Sequence, residues 1–369
     1  MTFLSKQERI VLAERPHGLV DNQTLRREVC AVSWPPVAPR GGVYVLVRVE
    51  YVGVEPAMRG WMSPDMNSYI PPVQLGSVMR AHGVGRVVDV CKSSVAVGGD
   101  DECPSLQVGD VVEGMLGMQA YAVLPAGKVS LVRQLPKSMP DRSTLALSVL
   151  GITGSTAYFG LFGVGKPVST DTVLVSAAAG AVGGTVCELA AKVVGCKRVI
   201  GIAGGKTKCE MVVRELGASA CIDYKGLSER QLHEAIKQYC PDGVDIFFDN
   251  VGGITLNAAL RSLNRVAVIC GAISTYNNTK MEPKDAPSQY MMLLKRRARM
   301  EGFVVFDFES EYERARRDLS AWIDQGLIHV REHTIHGLDR APEALNMLFS
   351  GANQGKLIIK VNHDQFARL

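Results

Sequence analysis

Seven residues with small side chains, Ala177-Ala178-Ala179-Gly180-Ala181-Val182-Gly183, constrain this chain more than any other segment. They follow an apolar, β-type run at 172–176 and open a stretch at 181–194 whose small and apolar residues suit a helix packed closely on a sheet. A strand, a tight small-residue turn and a helix in that order let backbone N–H groups approach a pyrophosphate at the positive end of the helix. The segment therefore predicts a dinucleotide-binding unit rather than a turn without a ligand. Further β-type runs at 198–202, 220–222, 244–248, 265–270 and 302–306 alternate with helical patterns, which predicts a doubly wound parallel sheet and an α/β fold class.

The end of the second strand selects between the two nicotinamide dinucleotides, because an acidic side chain there binds the ribose 2′-hydroxyl and repels a 2′-phosphate. Here it reads Gly201-Ile202-Ala203-Gly204-Gly205, without a carboxylate, and Lys206 and Lys208 follow at once. Cations sit poorly at the start of a helix unless an anion is present. NADP(H) is the expected cofactor.

At 369 residues the chain exceeds the usual single domain. Residues 1–137 carry short β-type runs (43–49, 84–90, 108–112) punctuated by Gly and Pro, which predicts a small irregular β-barrel; the polar stretch 92–104 reads as a surface loop without chemistry. Residues 138–308 form the nucleotide domain. Residues 309–369 read as a helix ending near Gln325-Gly326, a strand-like run at 328–335, a short helix and a last strand at 356–361, a tail expected to return to the first domain. No apolar run approaches the ~18 residues of a membrane span. The net charge of +4 is spread along the chain, and the basic run Lys295-Arg296-Arg297-Ala298-Arg299 reads as a solvated helix face, so neither membrane nor nucleic acid is expected as a partner. Nine cysteines, an odd number without a Cys-x-x-Cys pair, predict reduced thiols inside a cell and disfavour zinc lobes. The first ten residues lack the apolar core of a secretory signal, while the final Ala367-Arg368-Leu369 is a small-basic-Leu pattern like the peroxisomal Ser-Lys-Leu address. The expected location is cytoplasmic, with a peroxisome-type organelle as the alternative.

With these motifs in hand, a resemblance covers nearly the whole chain. The segments Tyr51-Val-Gly-Val-Glu-Pro-Ala-Met-Arg-Gly60, His82-Gly-Val-Gly-Arg-Val-Val88, Gly151-Ile-Thr-Gly-Ser-Thr-Ala-Tyr158, Ala177 to Gly183, Phe248-Asp-Asn-Val-Gly-Gly253, Cys270-Gly-Ala-Ile-Ser-Thr-Tyr-Asn277, Met300-Glu-Gly-Phe-Val-Val305 and Gly351-Ala-Asn-Gln-Gly-Lys356 stand in order. Together they resemble the zinc-independent branch of the medium-chain dehydrogenase/reductase superfamily, the prostaglandin reductases (leukotriene B4 12-hydroxydehydrogenases) and alkenal double-bond reductases. The resemblance implies a Rossmann domain inserted into a GroES-like β-barrel domain, an active site in the cleft between them, and a homodimer.

Carried over residue by residue, it implies pyrophosphate contacts at Gly180, Ala181, Val182 and Gly183, and 2′-phosphate contacts at Lys208 and Tyr224. The nicotinamide half falls to Asn250, the loop Cys270, Gly271, Ala272, Ile273, Ser274, Thr275 and Tyr276, then Phe303, Val304, Val305 and Asn353. Tyr276 is the candidate catalytic residue, able to hydrogen-bond an enolate oxygen or relay a proton, with a role as a ribose wall left open beside it. A substrate pocket is implied at Tyr51, Met58, Arg59, Tyr69, Met118, Tyr121 and Phe303. One departure stands out: Ala57 occupies the place of the Tyr usual in this motif, which widens the implied pocket. No metal is expected, since Val54-Glu55-Pro56 stands where the zinc dehydrogenases have a first ligand and Gly83 follows His82 where they have Glu. His329, His333 and His336 lie in a strand-like segment without a ligand cage. The implied reaction is NADPH-dependent reduction of a double bond conjugated to a carbonyl, as in alkenals and 15-oxo-prostaglandin-like enones. A quinone reductase and a non-catalytic NADPH-binding module remain as alternatives.

Overall fold

The computed structural model describes residues 6–34, 43–92, 106–133, 135–278 and 282–363. Most of the polar 92–104 stretch and the C-terminal tripeptide lie outside them.

The first domain is built on the long strand Val43–Val54, whose alternate residues Val45, Val47 and Val49 are fully buried while Tyr44 and Arg48 are not. It pairs antiparallel with Gly83–Lys92, Tyr121–Pro125 and the tail strand Lys356–Lys360. A second tail strand, Glu332–His336, extends the same seven-stranded sheet. Gly85 permits a close crossing, because a Cβ there would lie 2.4 Å from the carbonyl oxygen of Arg48.

The second domain holds six parallel strands: β1 Thr172–Ser176, β2 Arg198–Ala203, β3 Ala220–Asp223, β4 Val244–Asp249, β5 Leu263–Ile269 and β6 Arg299–Gly302. Their order is β3-β2-β1-β4-β5-β6, so the direction of winding reverses between β1 and β4, where such folds bind dinucleotides. Every residue of β1 is buried, Val173 and Val175 in one apolar layer and Leu174 in the other. That two-sided burial explains why these strands read as continuous apolar runs.

Two sequence expectations shift. The sixth strand is Arg299–Gly302 and not 302–306. It is an edge strand with all four residues exposed, so no apolar run marks it. The apolar run beyond it leads instead into a 3-10 segment, Val305–Glu311, with Phe303 against Gly160, where a Cβ would come within 2.6 Å of the ring. The tail also divides differently. The helix Tyr312–Asp324 buries Ala315, Leu319 and Ile323 in the core beside β1, so the chain rejoins the barrel only at Glu332 and not from 309.

Ion pairs bind the two domains across the cleft. Arg316 on the tail helix pairs with Glu113 on a barrel strand, charge to charge, at 2.6 Å. Arg331 donates at 2.9 Å to Glu188, a fully buried carboxylate on α1 (Ala181–Glu188).

Candidate active site

The turn after β1 is shaped for an anion. Ala177 holds a left-handed φ of 48°, its carbonyl accepts the N–H of Gly180 at 2.8 Å, and the N–H of Ala178 is anchored to Ile202 O at 3.0 Å. Gly183 faces this turn so closely that a Cβ would lie 2.4 Å from Ala177 O. The helix α1 begins at Gly180 with no side-chain cap, leaving first-turn N–H groups at Ala181, Val182 and Gly183 to an outside acceptor. A small cavity of about 20 Å³ lies beside this helix end, lined by Thr153, Ala181, Thr185, Arg331 and Lys356 among others. The small residues of the turn and the uncapped start of α1 fit a pyrophosphate.

At the end of β2, cations gather over Gly204. A Cβ on Gly204 would stand 3.1 Å from Cε of Lys225 and 3.2 Å from the Tyr224 ring. Lys208, near the start of α2 (Lys206–Arg214), donates to Gly351 O at 2.6 Å, and burial followed by the neighbouring Lys225 charge lowers its pKa. Neither Lys208 nor Lys225 pairs with a carboxylate among the described residues. The nearby Asp223 is occupied by backbone, accepting from Gly205 N at 2.8 Å and Lys225 N at 3.1 Å. Lys225 was absent from the sequence reading; a lysine directly after Tyr224, at the end of a short parallel strand, was the available signal.

The opposite end of the cleft is laced together by hydrogen bonds between the loops after β4 and β5. Ser176 Oγ donates to Asp249 Oδ1 at 2.9 Å and accepts from Asn250 N at 2.8 Å, while Asn250 Nδ2 donates to Ser176 O. The N–H groups of Cys270 and Gly271 both reach Asp249 O, and that of Ile273 reaches Asn250 O. The amide of Asn353 is turned inward to Gly355 O at 2.9 Å. Burial raises the Asp249 carboxyl from 3.8 to about 6, against the N–H donors of Val251 and Gly252 and the Ser176 hydroxyl, which lower it. Because its folded pKa lies above its unfolded value, its contribution to stability is full below about pH 4 and is lost as pH rises through 6. Asp249→Asn removes that dependence: the stability of wild type relative to the variant should fall by about 3 kcal/mol between pH 4 and 7 in urea titrations. A difference that stays constant across that window contradicts the assignment.

Tyr276 closes this loop on itself. Its hydroxyl accepts the N–H of Ala272 at 3.1 Å, beside Gly271, where a Cβ would come within 3.0 Å of the oxygen. Burial raises the phenol pKa, so the group is protonated at neutral pH. With its lone pair engaged by Ala272, its O–H proton remains to be given outward.

The structure gathers only part of the implied substrate pocket around this phenol. Tyr69 is more than half exposed, lies close enough to Tyr276 to interact with it electrostatically, and has its ring 6.4 Å from that of Phe306. Phe303 is half-buried and packs within 6.4 Å of Phe308. The others face elsewhere. Met58 and Met118 are fully buried in the barrel core, because their positions point to its interior. Tyr51 packs on the small cluster of Val84, Ala146, Leu147 and Ile358, and Tyr121 rests edge-on against His363. Arg59 engages Nη2 with Pro16 O at 3.0 Å, and Nε with Gly18 O and with Asn277 Oδ1 at 3.0 Å. It therefore ties the barrel to the residue after Tyr276 and positions that loop. Phe306, missed from sequence, hid within an apolar run that read as strand.

Where a zinc dehydrogenase would offer ligands, this chain holds an ion pair. Lys356 Nζ donates to Glu55 Oε1 at 2.9 Å, with the lysine side chain 4% exposed. The ammonium, with His82, holds the Glu55 carboxyl below its usual value in spite of burial. Burial lowers the His82 pKa, and its Nε2 is enclosed without a hydrogen-bond partner. Glu55, His82 and Lys356 thus form a desolvated corner whose cation is a side chain. His329 pairs with Glu188 at 2.8 Å, while His333 and His336 lie on a barrel strand.

Known proteins agree with this architecture. A model described as the N-terminal domain of oxidoreductase matches residues 8–132, and one described as zinc-binding dehydrogenase matches residues 181–321. The NADPH-dependent curcumin reductase of Escherichia coli (strain K12) is 36% identical over 97% of this chain and 98% of its own length. The NADP(+)-dependent 2-alkenal reductase of Nicotiana tabacum is 36% identical over 88% of this chain and 90% of its own. The crystal structure of CurA in complex with NADPH from Vibrio vulnificus has a TM-score of 0.82 at 36% identity, covering 96% of this chain and 99% of that one. Two domains in the same arrangement, matched along nearly their whole length, show that this chain belongs to the zinc-independent medium-chain dehydrogenase/reductase family of NADP-dependent oxidoreductases.

Proposed function

We propose that the protein reduces the carbon–carbon double bond of α,β-unsaturated aldehydes and ketones with NADPH. The observation that carries this reading is the Tyr276 phenol, whose pKa burial raises and whose oxygen accepts the Ala272 N–H, so that its O–H proton is not used in that contact and would be available to a substrate oxygen. The first turn of α1 would hold the pyrophosphate, Lys208, Tyr224 and Lys225 the 2′-phosphate, and the loops at Asn250, 270–276 and 303–305 the nicotinamide half. When bound, NADPH supplies a hydride to the β-carbon of the substrate. The protein's part is then electrostatic. As charge develops on the carbonyl oxygen, a preorganised phenol donor stabilises it more than it stabilises the neutral ground state. Tyr69, Phe303 and Phe306 supply an apolar wall suited to a lipid-derived chain.

The reading is tested by following NADPH oxidation with a panel of 2-alkenals, cyclic and long-chain enones, and quinones. Saturable turnover of the conjugated alkenes, with the saturated carbonyl as product, is expected; turnover of quinones alone would replace this reading with the quinone reductase.

The 2′-phosphate corner makes a separate prediction. Lys208→Ala should weaken NADPH by about 1–3 kcal/mol, the scale of a charge-assisted hydrogen bond, while NADH affinity changes little. Equal weakening of both cofactors, measured by fluorescence titration, would remove Lys208 from that corner.

A further inference from the structure

Cys209 in α2 and Cys221 on β3 place their sulfur atoms 2.7 Å apart. That distance is only about 0.7 Å longer than an S–S bond. Both are free thiols and both are half-buried, open enough for a small oxidant. Their neighbours matter. Cys209 adjoins Lys208, and Cys221 lies on β3 just before Tyr224 and Lys225, which follow the strand's end at Asp223 and form the other side of the 2′-phosphate corner. The third sulfur close enough to influence Cys221 is Cys187, fully buried on α1.

We propose that Cys209 and Cys221 are a reversible dithiol–disulfide modification site that controls how this corner receives NADPH; the control, though not the bond itself, rests on the NADPH reading above. With hydrogen peroxide as the oxidant, the Cys209 thiolate attacks one peroxide oxygen and the O–O bond breaks. The departing hydroxide takes up the thiol proton as water, and Cys209 becomes a sulfenic acid. The Cys221 sulfur then attacks the Cys209 sulfur, the S–O bond breaks, and the hydroxyl leaves with the Cys221 proton as a second water. The protein loses two electrons and two protons, and the peroxide is reduced to two waters. A dithiol reductant reverses the change by thiol–disulfide exchange. Burial raises the pKa of both thiols, which keeps the resting pair reduced and its oxidation slow.

The bond fastens the start of α2 to β3. In the present arrangement the Lys208 ammonium is engaged by Gly351 O at 2.6 Å. Its two remaining donors are open to a phosphate, and aiming them there calls for an adjustment of the helix turn that carries it. A tether at the adjacent residue opposes the adjustment, so oxidation weakens NADPH binding and, by linkage, bound NADPH slows oxidation.

The test treats the full-length protein with hydrogen peroxide, alkylates remaining thiols, and reads intact mass and linked peptides. The expected product has lost two hydrogens and links Cys209 to Cys221, is restored by dithiothreitol, and forms more slowly with NADPH present. Its NADPH KM rises about 3- to 10-fold, with kcat at saturation unchanged because the bond lies at the adenosine end, away from Tyr276. Cys209→Ser and Cys221→Ala each abolish the cross-link and the KM change; should one fold poorly, the other carries the control. A link from Cys221 to Cys187, or no Cys209–Cys221 link while other thiols oxidise, overturns the site. A link that leaves the NADPH KM unchanged overturns the control. Failure of the reduced protein to bind NADPH would instead defeat the cofactor reading, and the mass measurement reports the bond independently of it.

Discussion

Lys356→Met should cost the protein about 3–5 kcal/mol of stability, a loss on the scale of its whole folding free energy, seen as a large fall in the urea midpoint. Methionine keeps much of the length and apolar bulk of lysine, so the change chiefly removes charge. What remains is Glu55, buried and without its partner, since Lys356 is the group that donates to it at 2.9 Å. A carboxylate stripped of both water and counter-ion must either remain charged at high cost or take up a proton. The variant's loss should therefore shrink as pH falls. In wild type the Lys356 ammonium holds the Glu55 pKa below its ordinary value, so the pair's contribution is present above that ordinary value and is lost as pH falls through the lowered one. The double variant Glu55→Gln/Lys356→Met should recover much of the loss, because no isolated charge remains. A single-variant loss under about 1 kcal/mol would mean that water reaches this corner and screens the pair.

Tyr276→Phe should lower turnover by roughly 10-fold to 1000-fold while NADPH affinity stays within a few fold. The upper end corresponds to removing one well-placed donor to a developing oxyanion, and the lower end allows a cofactor ribose hydroxyl or water to substitute. Affinity is spared because the ring, which fills space beside Gly271, is retained. The hydroxyl also accepts the Ala272 N–H, and its loss leaves that donor without its partner, so a small fall in stability should accompany the kinetic effect. A variant that binds NADPH poorly yet turns over normally at saturation would show Tyr276 to be a wall of the cofactor site rather than a donor.

Contacts between segments remote in sequence join the two domains around the candidate site. Arg59, in the first domain, reaches Asn277, 218 residues away, and thereby fixes the loop that carries Tyr276. Glu188 draws in Arg331 and His329 from the tail at 2.9 and 2.8 Å. Through these, a seven-stranded barrel sheet and a six-stranded parallel sheet share one small cavity.

Local pattern was enough for the central features. The run Ala177 to Gly183 fixed the dinucleotide turn, because a Cβ at Gly183 is sterically excluded and such exclusion is written directly in residue type. The five strands β1 to β5 lie within two residues of the apolar runs that predicted them; for the central β1, β2, β4 and β5 two-sided burial demands continuous apolar sequence, while the edge strand β3 buries only Ile222. The lack of a carboxylate at the end of β2 and the presence of Lys208 were equally legible. Edge and surface positions were not. β6 has no buried residue to impose a pattern, and the apolar run beside it leads into a 3-10 segment, with a periodicity that does not distinguish it from strand.

What only the tertiary structure decided is which side chains meet. Motif position suggested that Tyr51, Met58, Arg59, Met118 and Tyr121 face the substrate; Met58 and Met118 are buried in the barrel core and Arg59 is drawn into hydrogen bonds, while Tyr51 and Tyr121 stay half-buried against apolar clusters. The pairing of Glu55 with Lys356 spans 301 residues, and the approach of Lys225 and Tyr224 over Gly204 depends on β3 lying beside β2. Backbone conformation and burial are local or nearly local demands that single residues satisfy, and so they are legible in sequence. The direction in which a side chain points across a cleft depends on sheet order, strand twist and distant anchors, none of which one position can specify.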